Sequence, residues 1–173
     1  MKITVSLTIA AALAGGCAHM GMGGGGPSAV ASLAPTTGNS TRGNVTFTQQ
    51  GDRVRVVAQV SGLKPGAEHG FHVHEKGDCS SGDGMSAGGH YNPASKPHGS
   101  LATDHHAGDM PNLKADSYGN ASATFEIPGV AVGSGAADIV GKGLIVHRDP
   151  DDYTTQPTGN AGPRLACAVI RRS

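Results

Sequence analysis

From Thr41 onward the apolar residues tend to fall at every second position, in runs too short for helices and separated by Gly, Pro, Asn and Asp. Val45-Thr46-Phe47-Thr48-Gln49 and Val54-Arg55-Val56-Val57-Ala58-Gln59-Val60 follow this pattern and are joined through Gln50-Gly51-Asp52, which predicts an antiparallel hairpin. Lys64-Pro65-Gly66-Ala67 places Pro and Gly where a type II turn prefers them and leads into Gly70-Phe71-His72-Val73-His74-Glu75. As a strand, that stretch points His72 and His74 to one face and Val73 to the other, so it can present two imidazoles and still contribute to a core. Leu113 to Asp116, Ala121 to Ile127 after the turn Ser117-Tyr118-Gly119-Asn120, Ile139 to His147, and Leu165 to Ile170 are the remaining predicted strands. Between them, segments 76–112 and 148–163 carry almost no apolar pattern. Short antiparallel strands with two long loops predict an all-β Greek-key barrel or sandwich. A long structureless loop inside a domain needs something to order it.

The first residues change the picture of where the protein resides. Residues 1–17 begin with Lys2, continue through Ile3, Val5, Leu7 and Ile9, and end Leu13-Ala14-Gly15-Gly16-Cys17, a secretory signal too short to span a membrane as a mature helix. The small residues before Cys17 resemble a bacterial lipobox, whose cysteine is lipidated. The stretch departs from that pattern in having Ala14 where Leu is favoured, with Leu13 one place early. Cys17 is thus a lipidation candidate and membrane anchor, and the mature protein is expected to be exported to the periplasm. Residues 18–40, rich in Gly, Ser, Pro, Thr and Ala, read as a flexible tether, with the domain at 41–173. His19, Met20 and Met22 in the tether are metal-ligand types, read as incidental. Removing Cys17 from the three cysteines leaves Cys79 and Cys167, an even pair expected to be bonded in an oxidising compartment.

The chain has 173 residues, with 28 glycines and 10 prolines, in keeping with one turn-rich domain. Thirteen basic residues balance thirteen acidic ones, which removes any bulk electrostatic case for a nucleic-acid partner. Of nine histidines, all but His19 and His69 are clustered: in the His72 strand, at His90, His98, His105 and His106 in the first loop, and at His147. His90, His98, His106 and the nearby carboxylate of Asp109 make a donor set suited to tetrahedral zinc. His72, His74 and His147 make a copper site short of one nitrogen. Filling both sites requires one shared histidine, and spacing alone does not say which.

These residues carry a resemblance. Gly70-Phe71-His72-Val73-His74-Glu75, Ala87-Gly88-Gly89-His90-Tyr91-Asn92-Pro93, His98-Gly99, His106-Ala107-Gly108-Asp109, Val146-His147 and Gly159-Asn160-Ala161-Gly162-Pro163-Arg164-Leu165-Ala166-Cys167 resemble, in order, the signatures of the Cu,Zn superoxide dismutases, most closely the exported bacterial branch. The resemblance implies a Greek-key β-barrel, an immunoglobulin-like sandwich of about eight antiparallel strands. It implies dismutation of superoxide to oxygen and hydrogen peroxide, with one Cu and one Zn per subunit. Copper falls to His72, His74, His90 and His147, and zinc to His90, His98, His106 and Asp109, with His90 as bridge and proton relay. Arg164 matches the active-site arginine, and Cys79 and Cys167 the family disulfide. Asp151 matches the carboxylate linking copper and zinc ligands, with Asp149 and Asp152 close by. The second loop, Tyr153-Thr154-Thr155-Gln156-Pro157-Thr158, lacks the charged steering residues of animal enzymes, which leaves Lys76, Lys96 or Lys142 to attract the anion. A monomer or a homodimer is compatible with the resemblance.

Overall fold

The computed structural model describes residues 1–2 and 25–173. The signal segment, Cys17, His19, Met20 and Met22 therefore lie outside the described residues, apart from Met1 and Lys2. The elements are β1 (Ser28–Pro35), β2 (Arg42–Gln50), β3 (Arg53–Ser61), β4 (Glu68–His69), β5 (Phe71–His74), β6 (Leu113–Lys114), β7 (Ala121–Pro128), β8 (Gly143–His147), β9 (Arg164–Val169) and β10 (Arg171–Arg172). Apart from a 3-10 turn at Met85–Ala87, the described chain has no helix.

One eight-stranded antiparallel sheet runs β5-β8-β9-β1-β2-β3-β7, with β10 also pairing to β1; β4 and β6 form a separate two-stranded ribbon. The predicted hairpin is β2-β3, with Gln50 opposite Arg53 across Gly51-Asp52. Alternation sets its faces: Val54, Val56, Ala58 and Val60 are buried, while Arg53, Arg55 and Gln59 are exposed. With them, Phe47, Phe71, Val73, Leu113, Ile127, Leu144, Val146 and Ile170 form the core that the curled sheet encloses. The sheet's curl and its non-sequential strand order fit the Greek-key expectation.

Three boundaries differ from the sequence reading. Residues 28–35, assigned to the tether, form β1, which lies between β9 and β2. Ala29, Ala31 and Leu33 turn into the core, and Ser28 to Leu33 pair residue by residue with Thr48 to Gly43. Small side chains suffice there because β1 is flanked on both edges, so its place is set by pairing more than by its own apolar bulk. The strand drawn from Ile139 begins at Gly143 instead; Lys142 N–H bonds Ile139 O in a turn that includes Gly141 at φ 81°. Likewise β6 covers only Leu113–Lys114 of the predicted 113–116.

The first loop is ordered by pairing with the edge of β5 that β8 leaves open. Glu75 N–H bonds Gly89 O, Tyr91 N–H bonds Val73 O, and Val73 N–H bonds Gly108 O. An exposed strand edge is a row of unmet hydrogen bonds, and here residues 89–91 and 108 meet them. That pairing lays His90 beside His74 and Asp109 beside His72.

Candidate metal centre

β5 and β8 are buried on both faces. Phe71, Val73, Leu144 and Val146 face the barrel core. His72 and His74, and His147 at the end of β8, take the opposite face, under the folded loop. Gly143 stands opposite His74, and a Cβ there would come within 2.6 Å of Lys76 O and 3.2 Å of the Ala87 methyl, so a side chain would push the loop off the histidines. Beyond β5, the loop supplies His90, His98, His106 and Asp109, all buried.

The result is two adjoining sets, His72, His74, His90 and His147 in one and His90, His98, His106 and Asp109 in the other, each with its donor atoms within 4.8 Å of one another. His90 belongs to both. His105, by contrast, turns away and donates from Nδ1 to Thr103 O at 2.7 Å.

Tautomers follow from the partners, since a carbonyl or carboxylate oxygen can only accept. His74 Nδ1–H donates to Gly88 O at 2.9 Å and His147 Nδ1–H to Gly162 O at 3.0 Å. His72 Nε2–H donates to Asp151 Oδ2 at 2.8 Å. Burial, followed by repulsion from neighbouring imidazoles, holds His74 well below its ordinary value and His147 at about 3; burial also outweighs the Asp151 bond and holds His72 at about 4. All three rings are therefore neutral, with lone pairs on His72 Nδ1, His74 Nε2 and His147 Nε2. The last two face each other at 3.4 Å, lone pair against lone pair. Among the described residues, His72 Nδ1, His90 Nε2 and His98 Nδ1 are buried without a hydrogen-bond partner. Such atoms are costly unless a cation completes them. His69 Nε2 shares this property but lies outside both sets; its Nδ1–H bonds His147 O at 2.9 Å.

The second set shows the same need more strongly. His98 Nδ1 lies 3.0 Å from Asp109 Oδ2, close but not aligned as a hydrogen bond, and His106 Nδ1 lies 3.3 Å from Asp109 Oδ1. His90 Nδ1 is 2.7 Å from Asp109 Oδ1 and 3.5 Å from His106 Nδ1. Burial lowers His98, yet Asp109 and Asp151 overcome it and raise the ring to about 9. The Asp109 carboxyl is pushed far below its usual range: burial opposes this, but the hydrogen bond from His90 and the close contact with His98 prevail. Backbone N–H groups of His106 and Gly99 donate to its Oδ2 at 2.9 and 3.1 Å and fix its direction. Three imidazole nitrogens and one carboxylate are the donor chemistry of zinc, and four imidazoles that of copper.

Asp151 ties the sets together, accepting from His72 Nε2 through Oδ2 and from His98 Nε2 through Oδ1 at 2.9 Å. Asp149 pairs instead with Arg148, and Asp152 caps the Thr154-Thr155 turn. Asn112 holds Asp151 in place from both sides, donating to its carbonyl and accepting from its N–H at 2.9 Å each. Nothing in the sequence pattern marks Asn112, because its partner is distant in the chain.

Arg164 begins β9 and is partly buried. Its Nη1 donates to Gly84 O and its Nη2 to Gly88 O, each at 2.6 Å. Gly88 O is the same acceptor that orients His74, and Gly88 has φ 74°, where a Cβ would also strike the Glu75 carboxylate. Cys79 and Cys167 are disulfide-bonded, with Cα atoms 5.8 Å apart. Of the lysines, Lys96 is paired with Asp104 at 3.1 Å, and Lys142 lies over the Tyr91 ring, 4.7 Å from its centroid.

Comparison with known proteins bears on this geometry. The family model described as copper/zinc superoxide dismutase (SODC) matches residues 41–170. Superoxide dismutase [Cu-Zn] 2 of Aquifex aeolicus (strain VF5) is 43% identical over 123 residues, covering 68% of this chain and 72% of that protein. Extracellular superoxide dismutase [Cu-Zn] of Drosophila melanogaster is 42% identical over 151 residues, covering 80% of this chain and 81% of that one. Among solved structures, the clock protein EA4 superposes with a TM-score of 0.75 at 40% identity, covering 83% of this chain and 93% of that one. With its two donor sets sharing His90 and the family model spanning most of the domain, the chain belongs to the copper/zinc superoxide dismutase family.

Proposed function

We propose that the chain converts two superoxide ions and two protons into oxygen and hydrogen peroxide, with copper held by His72 Nδ1, His74 Nε2, His90 Nε2 and His147 Nε2. Zinc would be held by His90 Nδ1, His98 Nδ1, His106 Nδ1 and Asp109, one ion of each per chain. The observation that carries this reading is the convergence of buried ring nitrogens, with the Asp109 carboxylate, at two adjoining points that share His90.

When bound, copper supplies one-electron cycling and zinc a fixed charge without redox chemistry. The protein's own groups do the rest. Asp151 keeps protons on His72 Nε2 and His98 Nε2, so that their Nδ1 atoms remain the donors. His90 Nε2 is the atom suited to take up a proton and return it to the forming peroxide. Arg164 binds the substrate anion through a charge-assisted hydrogen bond. Two of its N–H groups are committed to Gly84 and Gly88, which aims the guanidinium toward the histidines whose protonation its charge opposes. For steering, Lys76 is the better candidate, since Lys96 has its field offset by Asp104 and Lys142 is occupied with Tyr91.

Metal analysis with superoxide consumption on the purified protein tests this. Copper and zinc in equal amounts, with activity lost when copper is removed and not restored by zinc, is the expected result. Both metals without activity would leave a metal carrier, and absence of both metals would sink the reading. Export to the periplasm, with a lipid on Cys17, belongs to the same proposal. The disulfide supports an oxidising compartment, and the mass of the mature N-terminus would reveal or refute the lipid.

A further inference from the structure

The segment that follows β1 reaches the arginine. Thr36 is 7% exposed, and its hydroxyl donates to Arg164 O at 2.7 Å while its N–H donates to Leu165 O at 3.0 Å. One residue on, Thr37 N–H bonds Gly82 O at 2.7 Å, and the Thr36 methyl would lie 3.4 Å from a Cβ on Gly84. Thr36 and Thr37 thus hold two things together: the backbone that carries Arg164, and the loop whose Gly84 carbonyl receives its guanidinium.

There is a physical reason for this support to be needed. The register of β8 with β9 shifts between Val146 and His147, so that Val146 faces Ala166 while His147 faces Arg164. Such a bulge interrupts the ladder and leaves carbonyls to be met from elsewhere. β1 pairs with β9 only through Ala34–Cys167 and Pro35–Ala166, and a proline cannot donate to the ladder. Thr36 meets two β9 carbonyls, Leu165 O with its N–H in continuation of the β1–β9 register and Arg164 O with its hydroxyl. Asn39 Nδ2 donates to the same hydroxyl oxygen at 2.8 Å, which turns the hydroxyl proton toward Arg164.

We propose that Thr36 is a positioning residue for Arg164, its hydroxyl fixing where the guanidinium meets the substrate anion. This rests on the reading of Arg164 as the anion-binding group. The test is a titration of the copper- and zinc-loaded protein with azide, a small monoanion, followed by absorbance, on wild type, Thr36→Val, Thr36→Ser and Arg164→Gln. A net hydrogen bond of about 1 kcal/mol corresponds to about fivefold, so T36V is expected to weaken azide about fivefold with metal content unchanged. T36S should restore it. A merely structural threonine would lower the melting temperature in T36V but leave azide affinity at the wild-type value, and that result overturns the proposal. If R164Q itself leaves azide binding unchanged, the parent reading of Arg164 fails and this inference fails with it. If R164Q weakens azide while T36V does not, only the present inference is lost. Should T36V not load its metals, Asn39→Ala takes its place: a measurable weakening of azide supports the proposal, and none overturns it.

Discussion

Asp151 divides its two oxygens between rings from different segments, one on a strand and one in the first loop. Replacing it with Ala leaves both rings free to rotate and to change tautomer. Retention of both ions should fall by about 10- to 100-fold, measured by competition with a chelator; a drop confined to one ion would mean that the other ring is held by packing alone. A second carboxylate acts on the fold. Asp116 accepts from the backbone N–H of Asn120 and Tyr118, and these bonds hold it below its ordinary value. A carboxyl depressed in the folded state stabilises above its unfolded pKa of about 3.9 and loses that contribution as pH falls. The melting-temperature gap between wild type and Asp116→Asn should therefore be full near neutral pH and narrow below about pH 4. At this scale the sequence was partly legible. Residue type and spacing singled out His72, His74, His98 and Asp109, and the family resemblance chose His106 over His105; Asp151 had two close rivals, and its position between two imidazoles separates it from Asp149 and Asp152.

Among the elements, β1 carries the largest correction. Leu33 is 5% exposed within the core, in a segment whose composition reads as linker. Leu33→Ala should cost about 2 to 5 kcal/mol in denaturant unfolding, whereas the same change in a tether would cost almost nothing. The signal was present as Ala29, Ala31 and Leu33 at alternate positions, but small side chains give alternation little weight. Pairing with β2 and β9 converts that weak pattern into a central strand. β8 shows the opposite error. Ile139 and Val140 are apolar enough to extend a strand, yet Gly141 in a left-handed conformation turns the chain, and their hydrophobicity serves packing.

For the molecule as a whole, the disulfide and the two donor sets hold the same long loop. Cys79 and Cys167 are 88 residues apart, and Cys167 packs with Ile145 and Ala87 beneath the loop. In the loop-entropy model, removing both cysteines by Cys79→Ala and Cys167→Ala should lower stability by about 4 to 5 kcal/mol. Unfolding of the metal-free protein measures this directly, because bound ions would mask part of the loss by mass action.

Sequence alone determined the chemistry: which side chains can bind copper and zinc, which cysteines pair, and that short alternating strands surround them. Those are properties of residue type and period, which survive in a linear string. Tertiary structure decided which groups meet. That Asn112 holds Asp151 in place, that β1 is a strand and that Thr36 reaches Arg164 all depend on hydrogen bonds between residues far apart in the chain. Each is set by which unpaired carbonyl, ring nitrogen or strand edge must find a partner once the sheet has closed.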